Sequence, residues 1–130
     1  MEAINIWSGS AHSIGAVLTN PTELAYRKGK LKHHYPLTYL GVGYVDAEAA
    51  YQANKVNELE RDMQIMLCVI VAKLTQYPQI VEAIDRVGGI NWLKSCSHCV
   101  TGKSRWEGVG VNSNFIACLV QAYQIVKLTK

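Results

Sequence analysis

Between Glu58 and Gln76 apolar side chains recur every three or four residues: Leu59, Met63, Met66, Ile70 and Leu74, with Leu67 and Val71 widening the stripe. That period is one face of an α-helix. The helix it predicts, of about five turns, ends at Tyr77-Pro78, because proline lacks the amide that a continuing helix needs. In a chain of 130 residues such a helix must find partners for its apolar face. A second helix is expected from Pro78, which suits a first helical position, to about Val87, where Gly88-Gly89 stops it. Ile90 to Leu93 continues in extended or single-turn form. A last helix starts near Asn112 or Ser113, both good caps, and buries Phe115, Cys118, Leu119, Ala122 and Val126.

The front of the chain is less regular. Ile4-Asn5-Ile6-Trp7 alternates and reads as a short strand, ended by Ser8-Gly9-Ser10. His12 to Asn20 is a short helix or a loop, broken by Asn20-Pro21. Arg27 to His34 is a basic loop, and Leu37 to Tyr44 a strand or hairpin. The expected fold is mainly α (α+β): one compact domain over residues 1–130, of about four to five helices with a small N-terminal β element. Hydrophobic residues make up 49%, enough for a core without covalent staples.

Met1 to Asn5 has neither the basic start nor the apolar run of a signal peptide, and no apolar stretch approaches membrane-spanning length. A cytoplasmic protein with reduced thiols is expected. Cys68 and Cys118 sit in apolar helical stretches and read as small core residues. Cys96-Ser97-His98-Cys99 is a single CxxC with a histidine inside it. A structural zinc site takes four ligands, and the only further histidines are His12, His33 and His34. No metal is expected there; His98 lines a pocket or satisfies a loop. The formal net charge of +3 permits an anionic ligand without announcing nucleic acid.

Gly43 to Lys55 is the stretch where chemistry is easiest to place. Asp46 can cap a helix, and Ala47, Ala49, Ala50 and Ala53 form it and allow close approach of a neighbour. Glu48, Tyr51, Gln52 and Lys55 then fall at i, i+3, i+4 and i+7 on one face. Such a stripe can bind a polar ligand; it is also what a solvated helix face looks like. Trp106 to Asn114 is a glycine-bearing loop that opens a helix. It is an anion site at free amides, or a tight turn with its cap. The Arg27–His34 run is a phosphate clamp or a solvated loop.

Several of these pieces, in order, resemble the NADAR (YbiA-like) superfamily. Ile4-Asn5-Ile6-Trp7-Ser8 is similar to its "I-N-F-Y-S" strand, and Thr19-Asn20-Pro21 lies where it has "S-N-F". Tyr44 through Lys55 resembles "Y-P-S-x-E-H-x-x-Q-x-x-K", with Glu48, Gln52 and Lys55 in step. Ala72 through Pro78 resembles "A-K-F-x-Q-H-P", and Trp106 to Gly110 with the following helix resembles the "W-G-D-G…N-x-x-G-x-x-L" ending. The chain departs from the pattern in places. Ala49 stands where the family has histidine, and Glu107 is the acid nearest its closing aspartate. The segment between Lys55 and Ala72 is short and carries no counterpart of the family's functional tryptophan. The Arg27–His34 insertion is atypical.

The resemblance implies N-glycosidase chemistry on ribosylated or ADP-ribosylated nucleobase-like substrates, without a cofactor. Glu48 would be catalytic, stabilising the positive charge that builds on the ribose or orienting water. Its place in the first helical turn favours the ionised form. Asn20, Tyr44, Tyr51, Gln52, Lys55, His98, Trp106, Glu107, Asn112 and Ser113 would bind substrate. Trp7, Tyr44 or Trp106 would stack on the base. Phosphate is expected at the start of the last helix, near Asn112 and Ser113 with Lys55 close by, while the basic loop raises the encounter rate. The partner would be a nucleotide-like or ADP-ribose-like molecule. Nucleic acid enters only as an ADP-ribosylated carrier, and a homodimer is left open. Two alternatives stand beside the enzyme: a catalytically inactive protein that senses or sequesters such a ligand, and a structural or interaction protein.

Overall fold

The computed structural model describes residues 1–129. Its central element is α4, Leu59–Gln76, which carries the apolar stripe. Met66, Val69, Ile70 and Leu74 are buried, while Leu59 at the first turn stays exposed. The final helix α7, Asn114–Leu128, lies along α4 and buries Phe115, Ile116, Leu119 and Ala122 against it and its neighbours. α5, Pro78–Val87, opens with Pro78 and ends where Gly88 (φ 134°) and Gly89 (φ 68°) adopt backbone conformations that side chains resist. α4 and α5 are apolar together but bend by 94° where they meet, and no single helix among the described residues is long and apolar enough to cross a membrane.

Three short helices complete the α content: α1 Ser13–Leu18, α2 Thr22–Arg27 and α6 Gly89–Ser95. With α3, Ala47–Asn54, the described residues form seven α-helices in a mainly α fold. The count exceeds the expected four to five because α1, α2 and α6 have only six or seven residues, too few for a clear periodicity. Residues 90–93, read as extended or single-turn, are part of α6. There Trp92 and Leu93 are buried.

The β content is small. β1 (Leu37–Tyr39) and β2 (Val42–Tyr44) form an antiparallel hairpin. β3 (Ser97–His98) and β4 (Gly108–Val109) form a second pair that closes the loop between them. The Ile4–Trp7 segment is extended but is not a strand of a sheet. Asn5 makes a single parallel bridge to Ser97, with Ile6 N donating to Ser97 O at 2.8 Å and Ser97 N to Ile4 O at 3.0 Å. One bridge suffices because the segment is short and Ile6 is fully buried against the core. The chain thereby brings Trp7 and Ser8 beside the α1–α2 connection and the loop after β3.

Candidate functional site

A pocket of about 360 Å³ opens where these connections meet the start of α3. Its walls come from Ser8; from Thr19, Asn20 and Pro21 between α1 and α2; from Glu48, Tyr51 and Gln52 on α3; from His98 at the end of β3; and from Val100, Thr101, Ser104, Trp106 and Glu107 in the loop that follows. Met66 of α4 and Phe115 of α7 supply apolar surface. Seven of the residues expected from sequence therefore share one cavity: Asn20, Glu48, Tyr51, Gln52, His98, Trp106 and Glu107.

The α3 wall is built by Asp46. Its Oδ1 accepts from Ala49 N at 2.9 Å, which caps α3, and its Oδ2 accepts from Glu23 N at 3.0 Å in the first turn of α2. One buried carboxylate thus ties two helix starts together. Glu48 N donates to Asn20 O at 3.2 Å, which fixes the first turn of α3 against the α1–α2 connection. Beneath that connection Lys73, 2% exposed, donates to Thr19 O at 2.6 Å. Burial depresses its ammonium to about 7, partly offset by Asp46.

Glu48 itself is weakly satisfied. Gln52 Nε2 donates to its Oε1 at a long 3.4 Å. Burial raises its carboxyl above the usual carboxylate range, the Gln52 bond lowers it, Asp46 raises it and Lys55 lowers it. Desolvation thus opposes the dipole argument for an ionised Glu48, and the net shift is upward. Asn20 is 5% exposed; its Nδ2 donates to the Met66 thioether at 3.0 Å, and its Oδ1 has no partner among the described residues. A thioether is a weak acceptor, so this amide has hydrogen-bonding capacity left for a ligand.

On the opposite wall the acid is fully used. The Glu107 carboxylate accepts from Val100 N at 2.5 Å, Gly102 N at 2.8 Å, Thr101 N at 3.3 Å and Thr101 Oγ1 at 3.0 Å. The amides of Val100 and Gly102 lead in holding its carboxyl down at about 2. Glu107 anchors the loop. Arg105 Nη2 donates to the fully buried Asp62 at 2.7 Å, and its charge bears on the Tyr51 hydroxyl, so loop, α3 and α4 are linked electrostatically. Burial pushes Asp62 up, but the bonds from Val56 and Arg105 outweigh it and its carboxyl lies low. Trp106 meets Tyr51 edge-on at 5.5 Å between centroids. His98 contacts the Phe115 ring at 4.7 Å, and its Nδ1 lies 2.7 Å from Ile6 O. A carbonyl only accepts, so Nδ1 carries the proton and Nε2 is left as the second functional atom of a ring that lines the pocket.

Four expected residues stand apart from the pocket. Tyr44 lies on the hairpin in a shallow cleft with Leu37 and Gln76, and its hydroxyl accepts from Asn54 Nδ2 at 3.4 Å. Lys55 leaves the helical register, since α3 ends at Asn54 and Lys55 is extended (φ −61°, ψ 150°). The cause is Asp62, which draws Val56 N to 2.7 Å and turns the chain. Asn112 is exposed in a 3-10 turn, Gly110–Asn112. Ser113, fully buried, caps α7 by accepting from Ile116 N at 3.1 Å, and its hydroxyl donates to Trp106 O at 2.6 Å. Phe115 N is also taken, by Trp106 O at 3.2 Å. The start of α7 therefore offers its amides to the protein, and a phosphate site there loses its basis.

Among the described residues no group of three or more histidine, cysteine, aspartate or glutamate side chains could hold a metal ion. Cys96 is buried, Cys99 is at the surface with its thiol 3.6 Å from Gly108 O, and all four cysteines are free. Sequence reasoning missed Thr101 and Ser104, which line the pocket from a loop without periodic pattern, and took Met66 for core alone. Ser8 and Thr19 were within reach, since both belong to the ordered pieces of the resemblance. No protein-family description, curated protein or solved structure matches this chain.

Proposed function

We propose that this chain is an N-glycosidase of the NADAR (YbiA-like) kind, hydrolysing the bond between ribose and a nucleobase-like group in ribosylated or ADP-ribosylated molecules in the cytosol. One observation carries the reading. Ser8, the Thr19–Pro21 turn, Glu48 with Gln52, and Trp106 with Glu107 are far apart in sequence and line one pocket, and Lys73 of a further piece braces its floor at Thr19. The ordered pieces that carry the resemblance thus have a shared spatial reason.

In this reading the base stacks near Trp106, and the ribose lies against α3. The bond from C1′ to the base nitrogen breaks as positive charge builds on the ring. An ionised Glu48 stabilises that charge and orients the water whose oxygen bonds to C1′. Glu48 takes a proton from the water and hands it to the departing nitrogen, so the carboxylate is regenerated, while the unprotonated His98 Nε2 is an acceptor for a substrate N–H or O–H. Asn20 Oδ1 accepts from a ribose hydroxyl. A second reading, a silent ligand-binding protein, is favoured by Glu107: its four donors leave it no freedom to act as a second acid.

Incubation with ADP-ribosylated guanosine, followed chromatographically for free guanine, tests the proposal. Release by the wild type, lost in Glu48→Gln, is the expected result. Tight binding by the wild type without release would transfer the chain to the second reading.

A further inference from the structure

The atypical basic segment reaches the pocket through one residue. Lys28, at the end of α2, donates from Nζ to Ser8 Oγ at 2.7 Å and lies 4.9 Å over the Trp7 ring. Trp7 is itself held in place. Its indole packs so closely on Gly9 that a Cβ there would come within 2.6 Å of the ring. No carboxylate lies within 4 Å of Lys28 among the described residues, and the acid on α2, Glu23, is paired with His34 at 2.9 Å. Lys28 is thus a cation seated by an aromatic face and a hydroxyl, with its charge uncompensated.

Ser8 supplies the second half of the argument. It is 6% exposed and lines the pocket. Its oxygen accepts from the ammonium, so its own proton points away as a donor, and no acceptor for it exists among the described residues. Ser8 lines one edge of the cavity with a buried O–H donor, and the exposed Lys28 ammonium, 2.7 Å from its oxygen, has N–H groups to spare beside that edge. That pair fits an oxyanion, which accepts from both and neutralises the charge. The partners of Lys28 are Trp7, whose ring face attracts the ammonium, and Ser8; neither is negative, so the cation has no counter-ion among them.

We infer that Lys28 and Ser8 form the phosphate subsite of this pocket, so that a ligand enters with its phosphate against Trp7–Ser8 and its sugar toward Glu48. The inference rests on the nucleotide-type reading for what carries the phosphate, but the anion site can be measured without it. Lys30 and Lys32 of the same loop make no such contact and play no part.

Pyrophosphate is the probe, titrated calorimetrically into wild type, Lys28→Met, Lys28→Arg, Lys30→Met and Lys32→Met, with thermal unfolding as the folding control. Binding by the wild type, weakened at least about tenfold in Lys28→Met, restored in part by Lys28→Arg and changed less than about twofold in the other two, is expected. Binding is expected to weaken as salt rises, because the Lys28 ammonium that carries the charge is exposed. No binding by the wild type, equal binding in Lys28→Met, or equal affinity for malonate overturns the subsite. Lys28-dependent pyrophosphate binding without any base release from ADP-ribosylated guanosine would defeat the glycosidase proposal and leave the subsite standing. Release with the same kcat/KM in Lys28→Met would do the reverse.

Discussion

Two glutamates line one pocket and live in opposite surroundings. Glu107 receives three backbone amides and a hydroxyl, and its carboxyl is held at about 2. Glu48, across the cavity, has one long bond from Gln52, and burial drives its carboxyl upward. Each donor that stabilises a carboxylate also commits it. Glu107 is spent on holding residues 100–102, and Glu48 keeps the lone pairs and the proton affinity that chemistry requires. Perturbed carboxyls thus differ in meaning: one shifted down by hydrogen bonds marks an anchor, and one shifted up by burial in a cavity marks a candidate for reaction.

Removing the charge from each side separates them most sharply. Glu48→Gln is expected to lower base release by about 100-fold or more while its unfolding midpoint matches the wild type. Unfolding of this variant, or undiminished turnover, breaks the division of roles. Glu107→Ala is expected to do the converse first. Residues 100–106 lose their anchor, so limited proteolysis should cut there and the thermal midpoint should fall; a protease-resistant loop would show that Arg105 and Trp106 suffice.

The floor under Glu48 gives a pH test. Lys73 has a folded value of about 7 against an ordinary 10.5. Between these the unfolded chain holds a proton that the folded chain lacks, so stability rises with pH; below 7 both states hold it and the buried ammonium costs its full amount. Relative to Lys73→Met, the wild type should gain about 2 kcal/mol between pH 7 and pH 9, read by denaturant unfolding. A flat difference would mean that Lys73 stays charged. On the Glu107 side, Ser113→Ala removes the α7 cap and the bond to Trp106 O, and should cost about 1–2 kcal/mol. A neutral result would show that water replaces the hydroxyl.

The long helices were legible because periodicity accumulates over many residues: α4, α5 and α7 fall where Leu59–Leu74, Pro78 and Ser113 put them. α6 was not, since seven residues between Gly88 and Cys96 give barely two turns. At the site, Glu48, Tyr51 and Gln52 came from helical spacing, but Lys55 failed because the buried Asp62 bends the chain from outside that window. The phosphate assignment at Asn112 and Ser113 failed for a related reason. A sequence shows a helix start, but not that Trp106 and Ser113 already consume its hydrogen bonds. Lys28 was visible only as one charge in a run; its contact with Ser8 joins residues 20 positions apart.

The division between the two glutamates is tested most directly by carbon-13 NMR of the side-chain carboxyls, titrated on the folded protein from pH 7 downward. The expected result is a Glu48 midpoint above the usual glutamate value and a Glu107 midpoint well below it, near 2. Two midpoints together near the ordinary glutamate value, or Glu107 titrating above Glu48, would contradict it.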